Sequence, residues 1–285
     1  MRLSFNRFSM KNKSLVQNKY HPESDSFVIF LNKILQNFHL ILVFAKRDIS
    51  VKYAQTSLGY LWALLQPLVA LVIYTIFFGL LLNWKSDNIP FPIYVLTGLL
   101  GWNFFAYIIN TGTVSIFNSG NLMKKIYFPK IILPFSKVII GLVDLFIGLI
   151  LLISLFIYYD LSISWKMIFV PFIILLTAIC GLSMVFWLTI FSHKKRDVLH
   201  VIPFILNYGI WLTPVFFSPT ILPLKWRFIL DFNPMNSIIN CWRWTFFDSI
   251  IFQLNWLYSL IGMIVFFIFG LYFFNKTENK IADYI

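Results

Sequence analysis

Residues 46–67 read KRDISVKYAQTSLGYLWALLQP and join a charged stretch directly to an apolar one. The first half has the mixture of charged and apolar residues that an amphipathic helix shows. The second half is apolar, and this apolar run continues almost to Asn83. Gly59 lies between the two halves, with no long loop on either side. A polar amphipathic helix fused to a membrane span can carry force into a bilayer, so this stretch predicts a membrane protein with a cytosolic lever.

The composition of the whole chain also indicates a membrane protein. Of its 285 residues, 59% are hydrophobic and 12% are charged, whereas soluble domains carry about 25% charged residues. The net charge of +12 reflects orientation in the membrane, and we expect no nucleic-acid partner. The two cysteines and four histidines lack ligand spacing, so we predict no disulfide and no metal site.

Six segments are long and apolar enough to cross a bilayer, because a span needs about 20 mostly apolar residues. They are residues 59–83, 93–116, 132–158, 166–191, 199–217 and 256–274. Backbone groups in lipid must be hydrogen-bonded within the segment, so each span is helical. The predicted fold is an all-α membrane protein with six transmembrane helices within residues 59–274.

Basic residues are unevenly divided between the two sides of the membrane that six spans create. Eighteen Lys and Arg residues fall on the side of the termini, and five fall on the other side. By the positive-inside rule, the side with eighteen is cytosolic. We therefore expect both termini in the cytosol.

Segments outside the spans are also patterned. Residues 27–58 place apolar residues at helical spacing opposite polar ones, which predicts an N-terminal amphipathic interfacial helix after a polar extension, residues 1–26. A simple membrane anchor is the alternative for this helix. Residues 218–255 are too apolar for a water-exposed loop and predict short outer re-entrant helices between spans five and six. Residues 275–285 are expected to form a cytosolic tail.

Motifs for nucleotide binding and catalysis are absent from the sequence. It contains no G-x-x-x-x-G-K-[ST], G-x-G-x-x-G or H-E-x-x-H pattern, and Asp144 is the one carboxylate within a predicted span. Carriers driven by protons or sodium normally need several ionisable groups or broken helices at the midplane. We therefore expect no enzyme activity in this chain, and we expect that a separate subunit supplies the energy.

The opening stretch closely resembles the signature of the membrane subunit of polysaccharide ABC exporters, the type-2 permeases that export O-antigen, teichoic acid or capsule chains. The residues that carry this resemblance are Arg47, Asp48, Val51, Lys52, Tyr53, Thr56, Leu58, Gly59, Trp62, Leu65 and Pro67. Further blocks resemble later family segments in the same order, and they are residues 126–136, 211–216, 233–235 and 274–285. Ser50 and Ala54 stand where that family often has basic residues.

The resemblance implies a homodimeric permease paired with two copies of an ATP-binding subunit. ATP and Mg²⁺ would then bind the partner, with no cofactor on this chain. The substrate would be a lipid-linked glycan that passes through a channel between the two permeases. The location implied is the bacterial cytoplasmic (inner) membrane, where membrane lipids also contact the chain.

The resemblance also implies roles for three groups of side chains. Those expected to couple the permease to its ATP-binding partner are Arg47, Asp48, Lys52, Tyr53, Gln55, Lys124, Lys125, Tyr127, Phe128 and Pro129. Those expected at the channel or its gate are Gly59, Trp62, Gln66, Pro67, Trp102, Asn103, Phe105, Asn207, Tyr208, Trp211 and Pro214. Those expected in the outer re-entrant segment are Asn233, Pro234 and Arg243.

Each group also has a purely structural interpretation. Asp48 and Lys52 can pair with each other along a solvated helix face. Gly59 is either a joint at the membrane entry or a site of helix packing. Arg243 can hold the re-entrant helices or meet lipid headgroups, or it can bind a pyrophosphate or a sugar acid together with Asp248. Asp144 must face protein or water, and we expect an interhelical hydrogen bond there.

Other functions remain open at this point. A type-2 ABC permease for a lipid or a drug would share the same spans and the same cytosolic lever. A membrane enzyme of glycan assembly would need carboxylates or histidines near an interface, and the sequence shows no such group. A passive scaffold is disfavoured by the loop expected to dock on the ATP-binding partner.

Overall fold

The computed structural model describes residues 32, 34–54, 56–84, 86, 89–123, 128–192, 195, 197–221 and 223–283, and these contain helices and no strand. The predicted all-α class is therefore confirmed for the described residues. In chain order the α-helices are α1 (Phe38–Ile49), α2 (Leu61–Tyr74), α3 (Phe91–Asn118), α4 (Gly120–Met123), α5 (Ile132–Tyr158), α6 (Val170–Ser192), α7 (Asp197–Leu212), α8 (Leu224–Asp231), α9 (Pro234–Phe246) and α10 (Asn255–Asp283).

Several of these helices are lengthened by turns of a different helical type. A π-helical stretch, Ser50–Ala54, continues α1, and a second one, Thr75–Leu81, continues α2. A 3₁₀ turn, Trp165–Phe169, precedes α6, and the Ser164 hydroxyl caps it by accepting the Lys166 N–H at 3.3 Å. Helix α1 and its extension lie within the segment predicted to be an interfacial helix, and their position at the membrane interface stays a prediction. Residues 1–26 lie outside the described part of the chain.

Five helical segments of the described chain are long and apolar enough to cross a membrane. They are Leu61–Leu81, Phe91–Asn118, Ile132–Tyr158, Trp165–Ser192 and Asn255–Glu278. They correspond to predicted spans one, two, three, four and six. The chain is therefore an all-helical protein with several candidate membrane spans.

The predicted fifth span, residues 199–217, coincides with α7, which is shorter than expected. Its 16 residues fall below the ~20 that a straight span needs. The helix ends at Leu212 because Pro214 follows closely, and a proline disfavours helical angles at the residue before it. The count of six spans therefore remains a prediction that depends on α7 and the turn after it.

The predicted tail, residues 275–285, is not separate from the last span. Helix α10 continues without interruption to Asp283. Glu278 in this extension accepts the backbone N–H of Lys130 at 2.5 Å, and its carbonyl accepts the Lys130 Nζ at 2.5 Å. The end of α10 is therefore fixed beside the start of α5.

Helix α3 forms the centre of the bundle. In its most apolar 18-residue stretch, 78% of the residues are buried. It packs against α2, α5, α6, α7 and α9. Small residues permit this close approach, as in other membrane helix pairs. A Cβ at Gly148 of α5 would come within 2.3 Å of Leu100, and a Cβ at Gly98 would come within 2.7 Å of the Val215 carbonyl.

The two ends of the bundle differ in what covers them. Helix α1 packs on α5, beside the junction of Lys130 with Glu278. At the opposite end, α9 contacts the 3₁₀ turn before α6 and the start of α10. The N-terminal helix and the segment of α8 and α9 therefore lie at opposite ends of the spans.

Candidate functional site

The chain turns sharply between α1 and α2 at Gly59, where φ is +50°. Residues with a side chain are strained at this angle, and glycine is not. A Cβ at Gly59 would meet only the Tyr53 carbonyl, at 3.7 Å. Glycine is therefore favoured here by the backbone angle of the turn and not by close helix packing. Of the two interpretations offered by the sequence, the geometry favours the joint.

Two ion pairs fasten α1 and its extension to α5. Lys52 donates to Asp144 at 2.5 Å, and the Tyr53 hydroxyl donates to the same carboxylate. One turn earlier, Lys137 donates to Asp48. The expected interhelical hydrogen bond of Asp144 is confirmed.

The predicted pairing of Asp48 with Lys52 is wrong. Both side chains bond instead to α5, where Lys137 and Asp144 are seven residues apart. Seven residues are close to two helical turns, so these partners lie on the same face. The four residues alternate in charge across the contact between the helices, and this arrangement fixes how α1 lies on α5.

The electrostatics of this contact favour fixed charges on α1. Partial burial acts against ionisation of Asp48, but hydrogen bonds from Arg47 and Lys137 outweigh it and lower the pKa of Asp48. Burial, together with the bond to Asp144, raises the pKa of the Tyr53 phenol well above its usual value. Tyr53 is therefore a neutral donor, and Asp48 is an ionised acceptor.

A cavity of about 780 Å³ opens beside this contact, between α2, α3, α5 and α7. Lys52 and Asp144 form part of its wall. Six of the predicted channel residues also line it, and they are Gln66, Pro67, Trp102, Asn103, Asn207 and Trp211. Sequence positions up to 159 residues apart, from Lys52 to Trp211, therefore meet at one site.

The cavity wall carries amides and indole rings. Asn103 and Asn110 of α3 and Asn207 of α7 are exposed there. Each amide both donates and accepts hydrogen bonds, and such groups are costly to leave in lipid without a partner. This cavity can therefore hold water or a hydroxyl-rich molecule, with the rings of Trp102 and Trp211 beside it.

The remaining predicted channel residues lie elsewhere. Trp62 is exposed and lines a shallow groove on α2, and Tyr208 is exposed on α7. Phe105 is buried in the core, with its ring 5.5 Å from that of Trp102. Gly59 is in the turn described above, and Pro214 is buried just after α7. Aromatic composition alone could not separate these from the lining residues, because core, lipid and cavity positions are equally apolar.

The residues predicted to contact an ATP-binding partner are also divided. Arg47 is exposed and its guanidinium lies 5.1 Å from the Phe44 ring. Asp48, Lys52 and Tyr53 point toward α5, where their charges and hydroxyl find partners within the chain. Their contact with an ATP-binding partner stays a prediction.

The loop after α4 completes that predicted group. Phe128 is buried and its ring lies 5.3 Å from that of Phe44, while Pro129 is half-buried. The structure therefore brings Phe128, in the described end of this loop, against α1. Gln55, Lys124, Lys125 and Tyr127 lie outside the described residues.

The outer segment begins α9 where the sequence predicts. Asn233 accepts the Met235 N–H at 3.0 Å, and Pro234 occupies the first turn. Arg243 is buried, donates to the Val215 carbonyl at 2.8 Å and stacks 3.7 Å above the Tyr94 ring. Arg243 therefore connects α9 to α3, which agrees with its structural interpretation.

Sequence reasoning missed the role of α5 in this site. No sequence pattern pairs Lys137 with Asp48, or Tyr107 with Lys52. The Lys52 Nζ lies 4.4 Å from the Tyr107 ring centroid, so α1, α3 and α5 meet at this lysine. The useful signal was Asp144 itself, because a lone carboxylate in an apolar helix requires a partner.

Comparisons with known proteins agree with this architecture. The family model described as ABC-2 type transporter matches residues 39–247. The chain is 29% identical over 253 residues to the O-antigen export system permease protein RfbA of Klebsiella pneumoniae, covering 86% of this chain and 95% of that protein. It is 26% identical over 221 residues to the protein of the same name in Myxococcus xanthus, covering 76% and 84%. It is 22% identical over 205 residues to the polysialic acid transport protein KpsM of Escherichia coli, covering 69% and 77%. A match over most of its length shows that this chain belongs to the ABC-2 type transporter family.

Proposed function

We propose that this chain is the permease subunit of an ATP-driven exporter that moves a lipid-linked polysaccharide across the membrane. The observation that carries this proposal is the amide-lined cavity between α2, α3, α5 and α7. Its asparagines match the hydroxyl groups of a glycan. The relatives named as O-antigen export permeases point to the same class of substrate.

Energy for export would come from a partner, which the family implies to be an ABC ATP-binding subunit. We propose two copies of it, docked beneath α1 and the loop after α4. Arg47 offers an exposed charge there, and Phe128 packs on the same helix through Phe44. A push on this surface would pass through the Asp48–Lys137 and Lys52–Asp144 pairs into α5, which also forms a wall of the cavity.

We propose further that two copies of this chain form the channel. In the most apolar 18-residue stretch of the first candidate span, which contains α2, only 6% of the residues are buried. Helix α7 exposes Phe204, Tyr208 and Leu212. These two helices also border the cavity. A second copy packed on them would close the open side of the cavity and shield the polar wall from lipid. Helix α7 and the turn after it would then form the fifth span and bring the total to six.

We place this complex in the bacterial cytoplasmic membrane with both termini in the cytosol. The support is the excess of lysine and arginine on the side of the termini. The segment of α8 and α9 would then face the outside. Glycan would enter beside α1 and leave beside α9.

The test is export by purified components in sealed vesicles. The permease and its ATP-binding subunit are reconstituted together, and a radiolabelled lipid-linked glycan is supplied on the side of the ATP-binding subunit. Transfer to the other side is scored with a glycosidase that cannot cross the membrane. We expect ATP-dependent transfer by the complex and none by the permease alone. Transfer without the ATP-binding subunit, or equal transfer of the lipid carrier lacking its glycan, would contradict the proposal.

A further inference from the structure

Two further cavities lie at the end of the bundle opposite α1, and they are separate from the amide-lined cavity. The first is a polar chamber of about 740 Å³ formed by α8, α9 and the start of α10. The second is a groove of about 590 Å³ between α6 and α10. Both volumes are within the ~300–1,000 Å³ of small-molecule sites. Asp231 and Asn255 line both cavities, so chamber and groove are adjoining.

The chamber has the chemistry of a site for a polar group that carries negative charge. Arg227 and Arg243 line it together with one carboxylate, that of Asp231, so the charge of the lining is net positive. Amides of Asn236 and Asn240 form a buried floor, and each donates one N–H within the chain, to the Leu230 carbonyl and to the Asn236 Oδ1. Guanidinium groups bind phosphate oxygens through charge-assisted hydrogen bonds.

The groove has the opposite character. Its walls are mainly apolar, with Met184 and Met263 on facing helices. Gly262 lies in it, and a Cβ built there would have no atom within 4 Å, so open space replaces a side chain. Phe232 and Tyr258 are 82% and 76% exposed at its edge. An unbranched apolar chain can therefore lie along α10 from the bilayer side.

The boundary between the two cavities is held by a hydrogen bond. The Ser259 hydroxyl of α10 donates to the Asp231 carbonyl at the end of α8. This contact fixes the polar chamber directly above the apolar groove. The two cavities together thus match one molecule with a charged head and an apolar tail.

We propose that chamber and groove bind one phospholipid of the surrounding leaflet, with its phosphate in the chamber and an acyl chain in the groove. The bound lipid would join α6, α8 and α10 at the end of the bundle. It is a site separate from the amide-lined cavity.

The experiment is photo-crosslinking in vesicles of phosphatidylcholine that contain a small fraction of phosphatidylglycerol with a photoreactive group in one acyl chain. The permease is reconstituted with its ATP-binding subunit, irradiated and mapped by peptide mass spectrometry. We expect cross-links concentrated on residues 258–266. Gly262→Leu fills the groove and should reduce them about tenfold. Arg227→Gln weakens phosphate binding and should also reduce them about tenfold.

The matched control is Ile261→Phe, which adds bulk to the same helix on an exposed position outside the groove and should leave the cross-links unchanged. Thermal unfolding midpoints show whether each variant is folded. If Gly262→Leu does not fold, Arg227→Gln alone tests the site. Cross-links spread evenly over the lipid-facing helices, or unchanged in both variants, would overturn the site. Displacement of the label by an equal fraction of polyprenyl phosphate would overturn its assignment to phospholipid. No step depends on export, so this result is independent of the export assay.

Discussion

Asp144 is the residue on which the contact between α1 and α5 depends. It accepts from both Lys52 and Tyr53, and it lies in the wall of the amide-lined cavity. The sequence could predict that this carboxylate needs a partner, because it is alone in an apolar helix. It could not predict which partner, because the nearest basic residues in sequence are not the ones that the fold brings close.

Replacing Asp144 with Asn should loosen α1. The variant removes the charge that pairs with Lys52 and leaves a weaker acceptor for Tyr53. Both charged groups are about one-third exposed, so after solvent screening we expect the free energy of unfolding to fall by roughly 1 kcal/mol. Thermal unfolding in detergent measures the change. Asp160→Asn, in the exposed turn after the same helix, is the control and should have little effect.

Replacing Gly59 with Ala tests the joint between α1 and α2. The backbone there has φ +50°, and a side chain at such an angle costs about 1 kcal/mol. We expect that loss of stability, and a smaller loss for Gly59→Asn, because asparagine tolerates this angle better. Gly262→Ala is the control, since that glycine is helical and its Cβ would meet no atom within 4 Å. Equal effects at both glycines would contradict the assignment of strain to the joint.

At the scale of elements, α1 shows how far amphipathic patterning can be interpreted. Apolar spacing predicted the helix and its polar face. The structure divides the apolar residues further: Ile41 and Ala45 are buried against the bundle, whereas Phe38 and Leu42 are exposed. Composition could not separate these two groups, because contact with protein and contact with lipid both favour apolar residues.

The pH dependence of α1 docking follows from Asp48. Its folded pKa is lowered, so its contribution to stability is complete above the unfolded value of about 3.9 and is lost as the pH falls through the lower folded value. Hydrogen exchange of residues 38–54 gives the equilibrium constant for local opening of α1. This constant should stay the same from about pH 7 to 5 and should increase below about pH 4. Asp48→Asn should remove this acid-dependent term. Loosening already between pH 7 and 5 would contradict the role of this carboxylate.

Helices α3 and α7 should present a wet surface to each other. Cysteine placed at Asn103, Asn110 or Asn207 should react with a membrane-impermeant thiol reagent in reconstituted vesicles. Ile150→Cys, exposed on α5 and outside the cavity lining, is the control and should react slowly because it faces lipid. The native Cys180 and Cys241 are both buried, so they should add little background. Equal labelling of all four positions would argue against a wet cavity.

At the scale of the whole molecule, the sequence predicted the class and the family, and it predicted the assembled site only in part. Runs of apolar residues determine spans, so five of the six predicted spans coincide with long helices. Helix α7 differs because Pro214 shortens it. The cavity could not be derived from spacing, because Gln66, Asn103 and Asn207 lie on separate helices, and only helix packing decides that they meet.

The most direct test of the account is the amount of glycan exported for each ATP hydrolysed, measured in the same vesicles containing the permease and its ATP-binding subunit. Lys52→Asp and Asp144→Lys each place like charges together, and the double exchange restores an opposite pair. We predict that either single variant continues to hydrolyse ATP but exports roughly tenfold less glycan per ATP, within the usual range of coupling free energies, and that the double exchange recovers most of the loss. Unchanged export per ATP in both single variants would contradict the claim that motion passes from α1 into α5.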